Sequence, residues 1–258
     1  MSRWHLTYDS FEPDQEGLRE ALCTLGNGFF CTRGAADEAA ADAVHYPGTY
    51  IAGGYNRLAT EIDGHIIENE DLVNMPNWLP LTFRIEDGSW FDVDDVTLVD
   101  YRQELDIKQG VLTRSIRFDD AHGRRTSVVF RRLVHMAHPH LAAQQLELSA
   151  ENWSGRIEFR SALDGSGIND GVARYRNLNS RHLEPMDSRH FADDGISVKV
   201  QTRQSRLQVA VAARTTVQAE GLTEDPTRRT IAENGMAAQL IEVAVEQSVP
   251  VKVQKVVG

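Results

Sequence analysis

Residues 68–78, ENEDLVNMPNW, hold three carboxylates, three carboxamides and one indole within eleven positions. A glycosidase needs two carboxyl groups across the scissile bond, one protonated and one ionised. Glu68, Glu70 and Asp71 are candidates for such a pair. A run of acidic residues is more often a solvated face than a catalytic site, so the carboxylates alone leave both interpretations open.

The same segment has the groups that bind sugars. Carboxamides and carboxylates hydrogen-bond to vicinal hydroxyls, and an aromatic ring covers the C–H side of a pyranose. The candidates for these roles are Asn74, Asn77 and Trp78. The alternative is structural, because asparagines often satisfy turn backbone and a tryptophan can begin a buried strand. The residue types favour this alternative.

Other clusters give weaker signals. Residues 92–95, DVDD, lack the glycine and the distal glutamate of a calcium-binding loop. HMAHPH at 135–140 has no helical spacing and no evident third ligand for zinc, so we predict a turn there and no metal site. GNGFFCTRG lacks the lysine of a phosphate-binding loop. We therefore predict no cofactor.

Composition and charge exclude some classes of protein and indicate the cellular compartment. The 258 residues carry a formal charge of -11, which argues against nucleic acid, since phosphate binding needs a surplus of lysine and arginine. Two cysteines without metal or disulfide spacing favour a reducing compartment. The N-terminus has no signal-peptide pattern and no apolar run reaches 18 residues. We predict a cytoplasmic protein that does not insert into membranes.

The pattern of elements predicts one helix followed by many strands. The helix lies in DQEGLREALCTLGNG, with Asp14 as a cap, Leu18, Leu22 and Leu25 at helical spacing and Gly26 as a stop. From residue 29 onward, short runs rich in β-branched and aromatic residues alternate with turn signals.

Three of these turn signals predict hairpins, at Asp63-Gly64, at Asp87-Gly88 and at residues 121–123. Many closely spaced strands and one helix predict a mainly β fold, a large antiparallel two-sheet sandwich with one short N-terminal helix. The glycine- and asparagine-rich segment 164–181 is expected to project as a loop.

The chain resembles the N-terminal domain of glycoside hydrolase family 65, the family of maltose, trehalose and kojibiose phosphorylases. Seven motifs carry the resemblance in order: REALCTLGNGFFCTRGA, YPGTYIAGGYNRL, IENEDLVNMPNWLPLTFRI, DYRQELDIKQGVLTR, GRRTSVVFRRLVHMAHPHLAA, ENWSGRIEFRSALDG and, more loosely, NLNSRHL. The resemblance implies that residues 1–258 form a super-sandwich of the galactose-mutarotase type. It also implies that the catalytic (α/α)6 barrel is absent from this chain, and the ending VVG agrees with a cut before the linker.

The resemblance further implies inverting phosphorolysis of α-linked disaccharides, with inorganic phosphate as co-substrate and the general acid in the barrel. It assigns no catalytic residue to this chain. It makes residues 68–71 together with Asn74, Asn77 and Trp78 candidates for a face toward the barrel or the substrate mouth, the last three nearest the junction. A homodimer is a further implied partner.

Two other functions stay open. The domain could hold carbohydrate by itself through Trp78 or the 164–181 loop, or it could be a mutarotase-like epimerase with a histidine and a glutamate inside the sandwich. The sequence shows no evident pair for the latter. It also leaves open which disaccharide the parent enzyme uses and whether water replaces phosphate.

Overall fold

The computed structural model of the chain describes residues 4–170, 178–219 and 225–258. One α-helix, α1 (Glu16–Leu22), lies among these residues, and 3₁₀ turns occupy Pro13–Gln15 and Val93–Asp95. The strands in chain order are β1 (His5–Tyr8), β2 (Leu25–Gly26), β3 (Phe30–Thr32), β4 (Thr49–Ile51), β5 (Tyr55–Ile62), β6 (His65–Leu72), β7 (Leu81–Ile85), β8 (Thr97–Asp106), β9 (Val111–Asp119), β10 (Arg125–Val134), β11 (Ala142–Ala150), β12 (Gly155–Asp164), β13 (Leu183–Phe191), β14 (Gly195–Thr202), β15 (Gln208–Ala219), β16 (Thr227–Glu233), β17 (Met236–Val245) and β18 (Val251–Val257).

The strands form antiparallel sheets of nine, four, three and two strands. The nine-stranded order is β1-β8-β9-β10-β11-β18-β15-β14-β13, and the four-stranded order is β16-β17-β12-β7. The smaller sheets are β2-β3-β4 and the hairpin β5-β6. The predicted mainly β sandwich with one short N-terminal helix is confirmed. The last strand, β18, lies inside the large sheet between β11 and β15.

The two large sheets pack face to face over an apolar core. Every second residue of β9 and β11 is buried, which is the period of a strand with one covered face. Phe83 of β7 stacks on Phe91 with ring centroids 4.8 Å apart, and Phe91 lies 5.1 Å from Phe118 of β9. These aromatic pairs join the sheets, and each contributes about 0.5–1.5 kcal/mol beyond its buried area.

A row of polar side chains interrupts the buried face of the nine-stranded sheet. Cross-strand pairing places Arg132 opposite Gln144, Gln144 opposite Lys255, and Lys255 opposite Thr215. Arg114 takes an inward position on β9, which is why VLTRSIRF alternates imperfectly as a sequence. These five residues, all buried, are called the inward polar row.

The inward polar row binds segments of chain that cross the sheet. Arg132 donates to the carbonyl oxygen of Ala35 at 2.6 Å, and Arg114 pairs with the Glu38 carboxylate. Gln144 donates to the carbonyl oxygen of Leu79 at 2.8 Å. Buried polar groups are costly without partners, so the row fixes where residues 33–38 and 78–80 lie.

Helix α1 buries its polar face, contrary to the amphipathic pattern expected from its leucines. Leu18 and Leu22 are 56% and 51% exposed, whereas Glu16, Arg19 and Glu20 are buried. Arg19 donates to the Ser10 carbonyl at 2.7 Å and to Glu16 at 3.1 Å. The hydrogen bonds and ion pairs of these charged side chains stabilise this orientation of the helix more than burial of the two leucines would.

The predicted helix ends were also wrong. Asp14 lies in the preceding 3₁₀ turn, and Gln15 occupies the N-cap position without a side-chain hydrogen bond. The helix stops at Leu22, and Leu25 and Gly26 pair with β3 instead of ending a helix.

The hairpin predictions had different outcomes. Asp63 and Gly64 have φ of 51° and 78° and join β5 to β6, as a two-residue turn with two left-handed positions requires. Residues 121–123 connect β9 to β10. A turn does close at Gly88, whose N–H donates to Ile85, but no strand directly follows it. Among the described residues no helix has the length and apolar character to span a bilayer.

Candidate functional site

The eleven residues of ENEDLVNMPNW divide among three environments. Glu68 and Glu70 lie on the exposed face of β6. Asn69 and Asp71 alternate onto the opposite face, toward the body of the domain. Residues 73–78 leave the hairpin and are mostly buried.

The exposed pair of glutamates binds a cross-strand arginine. Arg57 lies 3.0 Å from Glu70 and 3.7 Å from Glu68, and all three side chains are at least half exposed. Exposed ion pairs of this kind contribute about 0–1 kcal/mol. Within the described structure these two carboxylates form a solvated charge cluster on the hairpin.

Asp71 belongs to a cluster of polar side chains around the buried ring of His182. His182 Nε2 lies 3.2 Å from Asp71 Oδ2, and His182 Nδ1 lies 3.0 Å from Asn56 Nδ2. Asn69 Nδ2 also donates to Asp71 Oδ2. The side chain of His182 is 1% exposed, so its orientation is set entirely by these neighbours.

The proton of His182 can be placed from the amide of Asn56. Asn56 Oδ1 accepts from the backbone N–H groups of Gln204 and Ser205 at 3.0 and 2.9 Å. Nδ2 of Asn56 is therefore the donor to His182 Nδ1, and the ring proton lies on Nε2, toward Asp71. Burial lowers the pKa of His182, while the Asp71 carboxylate opposes that shift. The imidazole is accordingly neutral at pH 7 and lies beside one carboxylate oxygen of Asp71.

Asp71 and Asn69 line a concave region that we call the polar cavity. Its volume is about 420 Å³, within the range of small-molecule sites. Its described lining consists of Tyr46, Tyr50, Asn69, Asp71, Leu72, Ile168, Asn169, Asp170, Leu178, Asn179 and Ser180. Part of the predicted 164–181 loop, residues 171–177, lies outside the described residues.

Two tyrosine hydroxyls are linked at the edge of the polar cavity. Tyr50 donates to the Tyr46 hydroxyl at 3.1 Å, and Tyr46 donates to the carbonyl oxygen of Ile168 at 3.3 Å. Burial raises the pKa of Tyr50, so its phenol stays protonated. Asn69 Oδ1 is buried and accepts no hydrogen bond from any described residue.

Asn74 ties the wall of the polar cavity to β4. Its Oδ1 accepts from the Thr49 N–H at 3.0 Å, and its Nδ2 donates to the carbonyl oxygens of Pro47 and Ile168 at 3.2 Å each. Its backbone N–H donates to Asn169 Oδ1 at 2.9 Å. Both ends of the carboxamide are occupied, so Asn74 holds the surrounding loops and leaves no free group for a ligand.

Asn77 and Trp78 join the segment to the sandwich. The backbone of Asn77 exchanges hydrogen bonds of 2.7 and 2.9 Å with Asp164, and its Oδ1 accepts from the Leu79 N–H at 3.0 Å. Trp78 is 2% exposed, which leaves no open ring face for a sugar. Its indole N–H has no acceptor within the described parts of the chain.

Lys255 binds the backbone of residues 78–80 from the nine-stranded sheet. Its Nζ lies 2.5 Å from the carbonyl oxygen of Trp78, 2.7 Å from that of Ala162 and 3.1 Å from that of Pro80. An ammonium group can donate to all three of these acceptors, and a neutral amine to two of them. The position of NWLP is thus fixed by a residue 177 positions away in sequence.

A second concavity, the apolar groove, lies over Trp78. It measures about 410 Å³, and its walls include the apolar residues Phe29, Phe30, Ile51, Met75, Trp78, Val209 and Val211. Apolar concavities on a protein surface commonly mark contact with another protein or domain.

The remaining sequence candidates have structural roles. Asp92 caps a 3₁₀ turn by accepting from the Asp94 N–H at 3.0 Å. His135 Nδ1 accepts backbone N–H groups of Ala137 and His138, which confirms the predicted turn. The described residues contain no cluster of three or more metal-ligating side chains.

Sequence reasoning missed His182, Asn56 and Lys255. Asn56 lies in GYNRL and His182 in NLNSRHL, two of the motifs that carry the family resemblance. A polar residue within each such motif was the available signal. Asn56 pairs with Asp71 across the predicted β5-β6 hairpin, but nothing local indicated that His182 joins them, since 126 positions separate Asn56 from His182.

A model of the glycosyl hydrolase family 65 N-terminal domain matches residues 6–258. The chain belongs to glycosyl hydrolase family 65. The match covers the sandwich from β1 to β18, so the whole described fold is the family's N-terminal domain.

Relatives of this family 65 domain are much longer proteins. An uncharacterized glycosyl hydrolase of Mycobacterium tuberculosis is 45% identical over 253 residues, 98% of this chain and 19% of that protein. Trehalose 6-phosphate phosphorylase of Lactococcus lactis is 31% identical over 82% of this chain and 26% of its own length. Kojibiose phosphorylase of Halothermothrix orenii is 26% identical over 82% of this chain and 25% of its length.

A solved structure shares the fold. A protein of the human microbiome assigned as a kojibiose phosphorylase superposes with a TM-score of 0.82 at 18% identity, over 98% of this chain and 32% of that one. This likeness concerns the fold alone. The family 65 domain therefore spans between about a fifth and a third of the proteins it matches.

Proposed function

We propose that this chain is the non-catalytic N-terminal domain of a cytoplasmic enzyme that cleaves α-linked glucose disaccharides by inverting phosphorolysis. Inorganic phosphate is the co-substrate, and the general acid lies in a catalytic barrel outside these 258 residues. The observation that carries the proposal is the family model, which matches residues 6–258 as an N-terminal domain. Several relatives are phosphorylases of kojibiose, trehalose 6-phosphate or maltose.

The environments of the carboxylates support a non-catalytic role. Glu68 and Glu70 share Arg57 on an exposed face, and Asp71 accepts from the Asn69 Nδ2 group beside the buried ring of His182. An inverting enzyme places its two carboxyl groups on opposite sides of the scissile bond, with room for the substrate between them. Glu68 and Glu70 instead share one arginine in solvent, which is the arrangement of a surface ion pair.

The apolar groove is the face we assign to the barrel. It is lined by the half-buried Ile51, Val209 and Val211 beside the buried indole of Trp78. A packed neighbouring domain would cover this apolar surface. The polar cavity lies on the adjoining side of the 68–78 segment, where we place the substrate mouth. A homodimer of the parent enzyme is a further proposed partner.

Phosphate-dependent release of glucose 1-phosphate from maltose, trehalose and kojibiose tests the proposal. The assay compares the 258-residue chain with a chain extended through the coding sequence that follows Gly258. Activity confined to the extended chain supports the assignment. Activity in the 258-residue chain would overturn it, and phosphate-independent glucose release by the extended chain would make the parent a hydrolase.

A further inference from the structure

We propose that Asn234 is a site of spontaneous deamidation, at the tip of the hairpin that joins β16 to β17. In this modification the side-chain carboxamide is lost as ammonia and the residue becomes aspartate or isoaspartate, with water as the co-reactant. The proposal goes beyond the proposed function and does not depend on it. Its basis is the contrast between the two Asn-Gly pairs of the chain, Asn27-Gly28 and Asn234-Gly235.

The turn between β16 and β17 favours this dipeptide. Glu233 lies opposite Met236, so two residues form the loop. The φ angles of Asn234 and Gly235 are 49° and 82°, and a turn with two left-handed positions prefers Asn-Gly. A glycine after the asparagine also puts no side chain in the way of its own amide nitrogen. The pair that suits the turn is therefore a pair that is open to deamidation.

Deamidation requires a carboxamide and the next backbone nitrogen. The Gly235 nitrogen gives up its proton and attacks Cγ of Asn234, which closes a five-membered succinimide ring. The bond from Cγ to Nδ2 breaks, and Nδ2 leaves as ammonia with that proton. Solvent water then opens the ring at either carbonyl carbon. One opening gives aspartate, and the other gives isoaspartate, in which the main chain runs through the side chain.

Both reacting groups are available at the hairpin tip. The side chain of Asn234 is exposed and makes no hydrogen bond with the described residues. The N–H of Gly235 donates to none of them either. The carboxamide can therefore turn toward the Gly235 nitrogen without the loss of a hydrogen bond.

Asn27 is the internal comparison, because its carboxamide is fully engaged. Its Nδ2 donates to the carbonyl oxygens of His135 and Pro139 at 2.8 and 3.1 Å. Its Oδ1 accepts from the N–H groups of Phe29 and Phe30 at 3.0 and 3.1 Å. The carboxamide cannot turn toward the following nitrogen until these bonds break, which costs free energy. The same dipeptide is thus protected at one position and unprotected at the other.

Isoaspartate at the hairpin tip would disturb its contact with the end of β12. The carbonyl oxygen of Gly235 accepts from the Gly165 N–H at 2.8 Å, and a Cβ on Gly235 would lie 2.9 Å from the ring of Pro185. An extra methylene in the main chain has no room in so close a contact. Gly165 follows Asp164, which exchanges backbone hydrogen bonds with Asn77. The modification therefore acts beside the 68–78 segment.

Peptide mapping of the native chain by mass spectrometry, after incubation at mildly alkaline pH, tests the proposal. Tryptic peptides 20–33 and 230–252 contain one asparagine each, so each reports one Asn-Gly pair. We expect peptide 230–252 to deamidate about tenfold faster or more, since the hydrogen bonds of Asn27 must open first. In concentrated urea the two rates should converge. Equal rates in the native chain would overturn the proposal, as would reaction of peptide 230–252 in urea only.

Hydrogen exchange, followed by nuclear magnetic resonance, tests the effect on the fold. The Gly165 amide should exchange faster in the isoaspartyl fraction of the aged chain. Asn234→Asp is the matched control, because it has the charge of the product on a normal backbone and aspartate also adopts positive φ. It should keep Gly165 protected. Equal protection in the two samples would overturn the link between the hairpin tip and β12, and neither result bears on phosphorolysis by the extended chain.

Discussion

Lys255 has no solvent-exposed surface, and its side chain ends among three carbonyl oxygens. Two of them belong to Trp78 and Pro80, in a segment that lacks strand partners of its own except at Asn77. From the sequence alone, Lys255 would be expected to face solvent, as its strand neighbours Lys252 and Gln254 do. The inward role became visible only with the cross-strand register.

Replacing Lys255 tests whether this anchor stabilises the fold. Lys255→Met keeps the length of the side chain but leaves the Trp78 carbonyl without its donor. We expect a loss of roughly 2–4 kcal/mol in the free energy of unfolding. Urea denaturation is the measurement, and Lys252→Met, on the outward face of the same strand, is the control and should change stability by less than about 0.5 kcal/mol. Equal effects of the two variants would refute the anchoring role.

The stability conferred by Lys255 should depend on pH. Burial lowers its pKa to about 7 from an ordinary value of 10.5. Between these values the unfolded chain binds more protons than the folded chain, so stability rises with pH. The free energy of unfolding of the native chain, relative to Lys255→Met, should increase from pH 7 to pH 9. A difference that stays flat over this range would show that the ammonium keeps its ordinary pKa.

His182 should give a slope in the acid range. Its folded pKa is lowered by burial, against the opposing charge of Asp71, so below about pH 6.5 the unfolded chain takes up a proton that the folded imidazole resists. The free energy of unfolding should therefore fall as the pH drops from 7.5 to 5. The part of this decrease that arises from His182 should be absent in His182→Gln. Denaturation of both chains at matched pH values checks it. Parallel pH profiles would contradict the neutral, buried imidazole.

At the scale of elements, the hairpin β5-β6 presents Asp71 and Asn69 to the polar cavity. Its turn was predictable because Asp-Gly between apolar flanks is a local signal. The helix was misjudged for the opposite reason. Leu18 and Leu22 gave a helical period, but the distant partners of Arg19 and Glu20 decided which face is buried. The sequence therefore indicated local features such as the turn, but it did not indicate polar contacts between residues distant in the chain.

Gly64 is the residue on which the hairpin turn depends. Its φ of 78° lies in the left-handed region, where a β-branched residue is strained by about 1–2 kcal/mol. Gly64→Val should speed hydrogen exchange of the β5 and β6 amides and leave the nine-stranded sheet protected. Asp63→Asn is the control, because asparagine also adopts positive φ. Unchanged exchange in Gly64→Val would mean that packing, and not the turn, holds the hairpin.

At the scale of the whole molecule, the domain is one sandwich with two contrasting concavities around residues 68–78. The mainly β class, the antiparallel arrangement and the single helix followed from patterning, since alternation and turn signals are local. The pairing of β18 with β11 and β15 and the assembly of the polar cavity did not. The pairing of β18 with β11 and the contact of Asn56 with His182 each join residues more than a hundred positions apart. The family resemblance supplied what patterning could not, namely the expectation that this domain accompanies a catalytic one.

The most direct test of a supporting role measures kcat for phosphorolysis in the extended chain with all three motif carboxylates neutralised. The variant combines Glu68→Gln, Glu70→Gln and Asp71→Asn. The account predicts a kcat within a few-fold of the native value, with any change confined to KM through the polar cavity. A loss of about 10²-fold or more in kcat, the contribution of a general acid or base, would place a catalytic group in this domain and contradict the account.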